Sequence, residues 1–198
     1  MIKFFDLDGT LFWSAEYIKN SYLYAYNRSG LNIPNFTKNI SKLYSLSLKN
    51  YLKLLNVDEI LIDDYSSILS RIKNLSFSKF SHLLIPNYEL LNELNKNQST
   101  SYVVSNASFK TALNYFEFFK IKFPEKHIYT REKLIKTKPS KLAYETLTKL
   151  FKDNQEFIVY EDSEEGIFSA KEAGISNIIR VSFDVNRQIW GMKKYVSI

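Results

Sequence analysis

The stretch from Ile2 to Phe12 constrains this chain more than any other, because a short apolar run ends in two aspartates and a glycine. It reads Ile-Lys-Phe-Phe-Asp-Leu-Asp-Gly-Thr-Leu-Phe, so Asp6 and Asp8 lie two residues apart. Such an apolar run predicts a buried strand of a parallel sheet, and ligands bind at the carboxyl ends of these strands. Two neighbouring carboxylates repel each other unless they share a cation. The stretch therefore predicts a cation site at the end of the first strand.

Length and composition indicate an ordinary globular protein. The 198 residues fit one sizeable domain, or a domain that carries a smaller inserted one. The hydrophobic fraction of 45% and the charged fraction of 24% are typical of soluble proteins. The chain has no cysteine, which excludes disulfide bonds and thiol chemistry.

The net charge of +6 does not by itself indicate a nucleic-acid partner. The lysines are scattered along the chain and form no basic arm or stripe, so we expect no nucleic-acid binding, although a mild positive field favours anionic small substrates. No window approaches the roughly 20 apolar residues that a membrane span needs. The chain enters its first strand directly after Met1 without a signal-like segment, and we expect a cytoplasmic protein.

The pattern of the chain changes near residue 84. Between residues 14 and 80 the apolar spacing is helical, and it predicts helices over 14–29, 37–44, 47–55 and 58–75. Ser14, Ser47 and Asp58 are the expected N-caps, and Gly30 suits a C-terminal cap. After Pro86 strands alternate with helices, with strands predicted at 101–105, 126–130, 156–160 and 177–181. Helices are predicted to begin at Pro86, after Ser108, at Lys138 and near Glu164, and the last is expected to end at Gly174. The helix after Lys138 has Ala143, Leu147, Leu150 and Phe151 on one apolar face. This alternation favours right-handed βαβ units and an α/β fold with a Rossmann-like parallel sheet. Residues 1–13 and 84–198 are expected to form this core, with residues 14–83 as an inserted helical unit; the tail from Ser182 onward has no assignable pattern.

Polar residues recur where strands end or helices begin. Besides Asp6 and Asp8, these positions are Ser105-Asn106, Lys138 and Glu161-Asp162. Each also has a structural interpretation when taken alone: a turn, a helix cap, a solvated charge or an acidic helix start. Their order along the chain is what makes them informative together.

This order resembles the four motifs of the haloacid dehalogenase-like superfamily. Asp6-Leu7-Asp8-Gly9-Thr10-Leu11 is similar to the first motif and Ser105 after an apolar strand to the second. Lys138-Pro139 matches the third, and Glu161-Asp162-Ser163-Glu164-Glu165-Gly166 with Ala173-Gly174 matches the fourth. The resemblance covers nearly the whole chain short of the tail.

The resemblance implies a division of roles for phosphoryl transfer. Asp6 would attack phosphorus and form an aspartyl-phosphate, and Asp8 would act as general acid and base. Lys138, rather than the nearby Lys136, would offset negative charge. Ser105 and the backbone amide of Asn106 would bind phosphoryl oxygens. Mg²⁺ would be the cofactor, bound by Asp6, the backbone carbonyl of Asp8 and Asp162. Glu161 would bind the ion through a water molecule, or would contact the ligands without binding the ion.

The helical insertion resembles the small α-helical cap of the branch that includes phosphoglycolate phosphatase and β-phosphoglucomutase. Such a cap closes over the site and selects the leaving group. One departure is visible, because Trp13 precedes Ser14 where many members of this branch carry an aspartate. His82 and His127 have no motif partners, and we interpret both as structural.

The sequence therefore predicts a Mg²⁺-dependent phosphatase acting on a small phosphorylated metabolite, such as a sugar phosphate, phosphoglycolate or an amino-alcohol phosphate. A sugar-phosphate mutase is the alternative that the motifs leave open. Dehalogenation is disfavoured because such enzymes lack the second aspartate, here Asp8. A non-enzymatic binding protein would be expected to have lost one of the four charged residues, and all are present: Asp6, Asp8, Lys138 and Asp162.

Overall fold

The chain divides into two compact units. A computed structural model describes residues 1–44, 46–151, 155–182 and 196–197. One unit comprises Met1–Trp13 and Pro86–Ile198, and the other Ser14–Ile85. The second boundary lies two residues beyond the one expected from the sequence. Of the tail, residues 183–195 and 198 lie outside the described part.

The first unit is built on a sheet whose five parallel strands have the order β5-β4-β1-β6-β7, with β8 pairing antiparallel to β7 at the edge. The sheet's strands are β1 (Ile2–Phe5), β4 (Ser101–Val104), β5 (Ile128–Tyr129), β6 (Phe157–Glu161), β7 (Asn177–Arg180) and β8 (Val196–Ser197). Two short strands, β2 (Phe12–Trp13) and β3 (Ile85–Pro86), pair separately. The strand order reverses direction beside β1, which is where ligands bind in open α/β sheets. The α/β fold predicted from the sequence is confirmed.

Strand β1 lies between β4 and β6, and three of its four side chains are apolar. Phe4 and Phe5 are completely buried. Phe5 stacks on Tyr160 of β6 with ring centroids 4.6 Å apart, and Phe4 stacks on Phe157 at 5.7 Å. Lys3, the charged residue of β1, forms an ion pair with Glu93. These contacts hold β1 in register with β6, so the chain after Phe5 emerges from the middle of the sheet.

Within the described residues of this unit, four α-helices accompany the sheet and begin close to the predicted positions. Asn87, Ser108 and Ser163 each cap a helix by accepting a backbone hydrogen bond, and Gly174 takes a positive φ of 81° after the last one. The helices are α5 (Tyr88–Lys96), α6 (Phe109–Phe118), α7 (Leu142–Thr148) and α8 (Glu164–Glu172), with 3-10 turns at Gln98–Thr100 and Glu125–His127.

Two predicted elements of this unit, a helix and a strand, are shorter in the structure than expected. The helix after Lys138 ends at Thr148, and Leu150 is 62% exposed although its spacing predicted a buried position. The strand predicted at 126–130 is reduced to Ile128–Tyr129, because the 3-10 turn occupies its first residues.

The second unit is helical throughout its described residues except for Ile85 of β3 and its turns. Ser47 and Asp58 cap their helices as predicted, and Gly30 ends α1 in the left-handed conformation. Ser14 occupies the predicted N-cap position, but its side chain makes no capping hydrogen bond. The elements are α1 (Ala15–Ser29), α2 (Leu48–Leu54), α3 (Glu59–Leu75) and α4 (Phe77–Phe80), with 3-10 helices at Ile40–Tyr44 and Ser81–Leu83.

The helix predicted over 37–44 is replaced by turns and a short 3-10 helix. Backbone hydrogen bonds there span three residues, as from the amide of Lys38 to the carbonyl of Asn35. Phe36 holds this segment against the unit's aromatic core, because its ring stacks on Tyr26 at 4.3 Å and meets Tyr51 at 5.4 Å. Tertiary packing has therefore overridden the helical spacing. Among the described residues no helix combines the length and apolar character needed to cross a membrane.

We expect Phe4→Ala to lower the free energy of unfolding by about 3–5 kcal/mol, because it empties a fully enclosed site against Tyr102, Tyr144 and Phe157. Urea unfolding followed by circular dichroism measures the change. The control is Phe168→Ala, whose side chain on α8 is 56% exposed and whose loss should cost less than about 0.5 kcal/mol. Equal losses for the two variants would contradict the central placement of β1.

Candidate active site

A tight turn follows β1 and carries both aspartates. The amide of Gly9 donates to the carbonyl of Phe12 at 2.7 Å, and the amide of Phe12 donates to the carbonyl of Leu7 at 3.0 Å. Gly9 has a φ of 90°, a conformation that side chains disfavour. The amide of Asp6 still pairs with Tyr160 of β6 at 3.0 Å. Asp6 is thereby fixed to the sheet, whereas Asp8 lies within the turn.

Asp6 lies in a buried ion-pair triad with Lys138 and Glu161. The ammonium nitrogen of Lys138 is 2.5 Å from Oδ1 of Asp6 and 2.6 Å from Oε2 of Glu161. The side chains of the three residues are 8%, 3% and 1% exposed in the order Asp6, Lys138, Glu161. The structure thus brings Asp6 together with Lys138, which lies 132 positions further along the chain.

Asn106 positions the backbone of Lys138. Its side-chain Nδ2 donates to the carbonyl of Lys138, and the amide of Lys138 donates to Oδ1 of Asn106, each at 2.9 Å. The sequence assigned only the backbone amide of Asn106 a role, so this side-chain function was missed. The paired hydrogen bonds tie the loop after β4 to the Lys138-Pro139 turn, whose peptide bond is cis.

Glu161 is saturated with hydrogen bonds. Its Oε2 accepts from Lys138 and from the hydroxyl of Tyr144 at 3.1 Å, while Oε1 accepts from the hydroxyl of Ser163 at 2.8 Å and its amide at 3.2 Å. A Cβ at Gly166 would lie 2.0 Å from the carboxyl carbon of Glu161, which explains why glycine occupies that position. These contacts make Glu161 an anchor for Lys138.

The carboxylates of Asp6, Glu161 and Asp162 form a compact cluster. One oxygen atom from each carboxylate lies within 4.8 Å of the other two, and the hydroxyl of Thr10 donates to Oδ1 of Asp162 at 3.4 Å. Mg²⁺ prefers a few carboxylate oxygens and completes its shell with water. The donor set fits such an ion, and Asp6 and Asp162 of the predicted metal ligands belong to the cluster.

The crowding of charge is visible in the pKa values. Burial, and then the charges of Glu161 and Asp162, raise the pKa of Asp6 well above its ordinary value, although Lys138 acts in the opposite direction. Burial lowers the pKa of Lys138, but Asp6 and Glu161 outweigh it and raise the pKa well above the usual range. Lys138 therefore stays protonated, and a divalent cation at this cluster would favour ionised Asp6.

Ser105 and Asp8 lie at neighbouring strand ends. Ser105 is buried at the end of β4, and its Oγ accepts from the amide of Ala107 at 3.1 Å, in the turn that leads to α6. The carboxylate of Asp8 accepts a hydrogen bond from the hydroxyl of Tyr115 at 3.1 Å. His127, by contrast, has its Nδ1 2.8 Å from the carbonyl of Gln98.

Tyr144 and Tyr115 are residues that the sequence analysis missed. Both are completely buried, and no motif sets them apart from aromatic core residues. Burial and its acidic neighbours raise the pKa of Tyr144 well above the ordinary value, so its hydroxyl remains a donor to Glu161. Only the spatial proximity of each hydroxyl to a carboxylate reveals them.

The comparison with protein families finds a model that matches most of the chain. The family model described as haloacid dehalogenase-like hydrolase matches residues 4–180. None of the curated proteins matches the chain significantly.

Solved structures extend the fold comparison. A hydrolase from Pseudomonas syringae is 20% identical with a TM-score of 0.69, over 94% of this chain and 88% of that one. CbbY from Rhodobacter sphaeroides in complex with phosphate is 17% identical with a TM-score of 0.70, over 98% and 91%. A mutant of the same protein in complex with xylulose-(1,5)-bisphosphate is also 17% identical, with a TM-score of 0.69, over 97% and 92%.

We expect Lys138→Met to lower the free energy of unfolding by about 3 kcal/mol, because it leaves two buried carboxylates without their shared cation. The matched control is Lys136→Met, which removes an exposed ammonium group two residues away and should change stability by less than about 0.5 kcal/mol. Thermal and urea unfolding of both variants provide the measurement. A Lys138→Met protein as stable as the wild type would contradict the buried triad.

Proposed function

The chain belongs to the haloacid dehalogenase-like hydrolases, and on that premise we propose that it is a Mg²⁺-dependent phosphatase acting on a small phosphate monoester. The observation that carries the proposal is the buried ion pair between Asp6 and Lys138, with Asp162 beside it and Asp8 two residues further along the same turn. This arrangement supplies a nucleophile, a fixed positive charge, oxygen ligands for a metal and a separate carboxyl group for proton transfer.

The first chemical step is phosphoryl transfer to Asp6. An oxygen of its carboxylate forms a bond to phosphorus while the bond from phosphorus to the leaving oxygen breaks. Asp8 donates a proton to that leaving oxygen, so the product departs as a neutral alcohol. Lys138, held by Glu161, balances the negative charge that Asp6 and the phosphoryl group share.

The second step returns Asp6 to its starting state. Asp8, now ionised, takes a proton from a water molecule as the water oxygen attacks phosphorus. The bond between Asp6 and phosphorus breaks, and inorganic phosphate leaves. Splitting the hydrolysis in two lets one carboxyl group serve as acid and then as base.

The remaining groups orient the phosphoryl moiety. We assign its oxygens to the hydroxyl of Ser105 and the amide of Asn106, in the turn that precedes α6. Asp6, the carbonyl of Asp8 and Asp162 would hold Mg²⁺, which supplies charge neutralisation for the transferred group. Glu161 takes no part as a direct ligand in this assignment, because Lys138, Tyr144 and Ser163 already occupy its oxygens.

The substrate class is proposed from the chemistry of the structural relatives. CbbY from Rhodobacter sphaeroides binds phosphate, and its mutant binds a sugar bisphosphate. Sugar phosphates are therefore the first compounds to test on this chain, followed by phosphoglycolate and amino-alcohol phosphates. We further propose that the helical unit, Ser14–Ile85, serves as the cap that selects among them.

The test is release of phosphate from p-nitrophenyl phosphate. The wild-type protein should be active with Mg²⁺, should lose activity in EDTA and should regain it when Mg²⁺ is restored. Asp6→Asn should lower kcat by at least about 10³-fold, since it removes the nucleophile.

The matched control for that experiment is Asp64→Asn, which makes the same chemical change at an exposed position of α3 and should leave kcat unchanged. Full activity of Asp6→Asn would refute the mechanism. Isomerisation of a hexose phosphate without net phosphate release would instead identify a mutase using the same residues.

A further inference from the structure

We propose that Tyr115 is a positioning residue for Asp8: its phenol holds one carboxylate oxygen so that the other carries the transferred proton. The observation is the hydrogen bond from the Tyr115 hydroxyl to Oδ1 of Asp8 at 3.1 Å. The inference rests on the proposed function, in which Asp8 is the general acid and base. It adds a residue that lies outside the four motifs, 107 positions from its partner.

Tyr115 is rigidly placed with respect to the turn that carries Asp8. Its side chain is completely buried on α6. Its ring meets the ring of Phe12 edge-to-face, with centroids 5.4 Å apart and planes at 73°. Phe12 in turn closes the catalytic turn through its backbone bonds to Leu7 and Gly9. The ring and the hydroxyl of Tyr115 thus contact two residues of one turn.

Phe12 itself is fixed by further aromatic contacts. Its ring lies 5.9 Å from that of Phe116 and 5.4 Å from that of Phe119, and both residues follow Tyr115 in the chain. The C-terminal end of α6 therefore packs against the turn through a cluster of apolar rings. A phenol oriented by such packing loses little rotational freedom when it forms its hydrogen bond, so the bond is preorganised.

The chemistry of the contact assigns different tasks to the two oxygens of Asp8. A phenol hydroxyl is a donor to an ionised carboxylate, and a hydrogen bond to a charged group is among the stronger ones. With Oδ1 occupied, Oδ2 is the oxygen that gives a proton to the leaving group and later accepts one from water. Both proton transfers then use one atom in one orientation, which proton transfer by a positioned group requires.

Apolar packing alone does not account for a tyrosine here. A phenylalanine would fill the same space against Phe12 and would not need a partner for a buried hydroxyl. The hydroxyl instead ends on the carboxylate that the mechanism uses for proton transfer. The substitution that separates the two roles is therefore Tyr115→Phe, which keeps the ring and removes only the donor.

The test compares two aryl phosphates that differ in how much protonation their leaving groups need. Phenyl phosphate releases a basic phenolate and depends on the general acid, whereas p-nitrophenyl phosphate releases a stable anion and depends on it less. We expect Tyr115→Phe to lower kcat/KM for phenyl phosphate about tenfold and that for p-nitrophenyl phosphate no more than about threefold. The parameter kcat/KM is the right one because it includes the step in which the leaving group departs.

The matched control is Tyr102→Phe, which removes a hydroxyl from a half-buried tyrosine of β4 and should leave both kcat/KM values unchanged. Melting temperatures of both variants report on folding separately. Equal loss on the two substrates, or no loss, would overturn the inference while the phosphatase assignment stands. Failure of the wild type to hydrolyse either ester would overturn the proposed function and this inference with it.

Discussion

The buried ion-pair triad of Asp6, Lys138 and Glu161 is the interaction on which the rest of the site depends. One ammonium group lies between two carboxylates that are almost fully enclosed, and Asp162 adds a third carboxylate within 4.8 Å. Removing charges from water is costly unless each has partners, and here the partners come from the ends of β1 and β6 and from the Lys138-Pro139 turn. The sheet order places β1 between β6, which ends in Glu161, and β4, which leads to the Asn106 that binds the Lys138 backbone. Negative charge still exceeds positive charge there, which suits a cation and an attacking carboxylate.

The positioning groups divide into two sets with different consequences. Asn106, Tyr144 and Ser163 act on Lys138 or Glu161 and keep the positive charge where it is. Tyr115 acts on Asp8, which belongs to the turn rather than to the triad. In the proposed mechanism the first set governs the charge on the phosphoryl group, and the second governs proton transfer. The loss of activity that a substitution causes should therefore depend on the substrate's leaving group in the second set and not in the first.

The sequence predicted the features that local signals carry. Apolar runs located β1, β4 and β6. The predicted cap residues Ser47 and Asp58, and Gly174 after α8, marked helix ends within a residue or two. The family was predicted because its four motifs depend on residue type and order. Features set by distant contacts were missed. The helix after Lys138 ends at Thr148, so Leu150 is exposed instead of buried. The ring contacts of Phe36 favour turns where a helix was predicted. The hydroxyls of Tyr115 and Tyr144 carry no local signal, because their partners lie 107 and 17 positions away.

The central claim is that Asp6 becomes covalently phosphorylated, and chemical trapping of that intermediate tests it most directly. Wild-type protein turning over a phosphate ester with Mg²⁺ would be quenched and treated with borohydride, which reduces an aspartyl-phosphate to homoserine. Peptide mass spectrometry should then find homoserine at position 6, only when substrate is present. Trapping of a known acyl-phosphate under the same conditions is the control. Homoserine at another position would contradict the account. So would an unmodified Asp6 in protein that is hydrolysing the ester while the control is trapped.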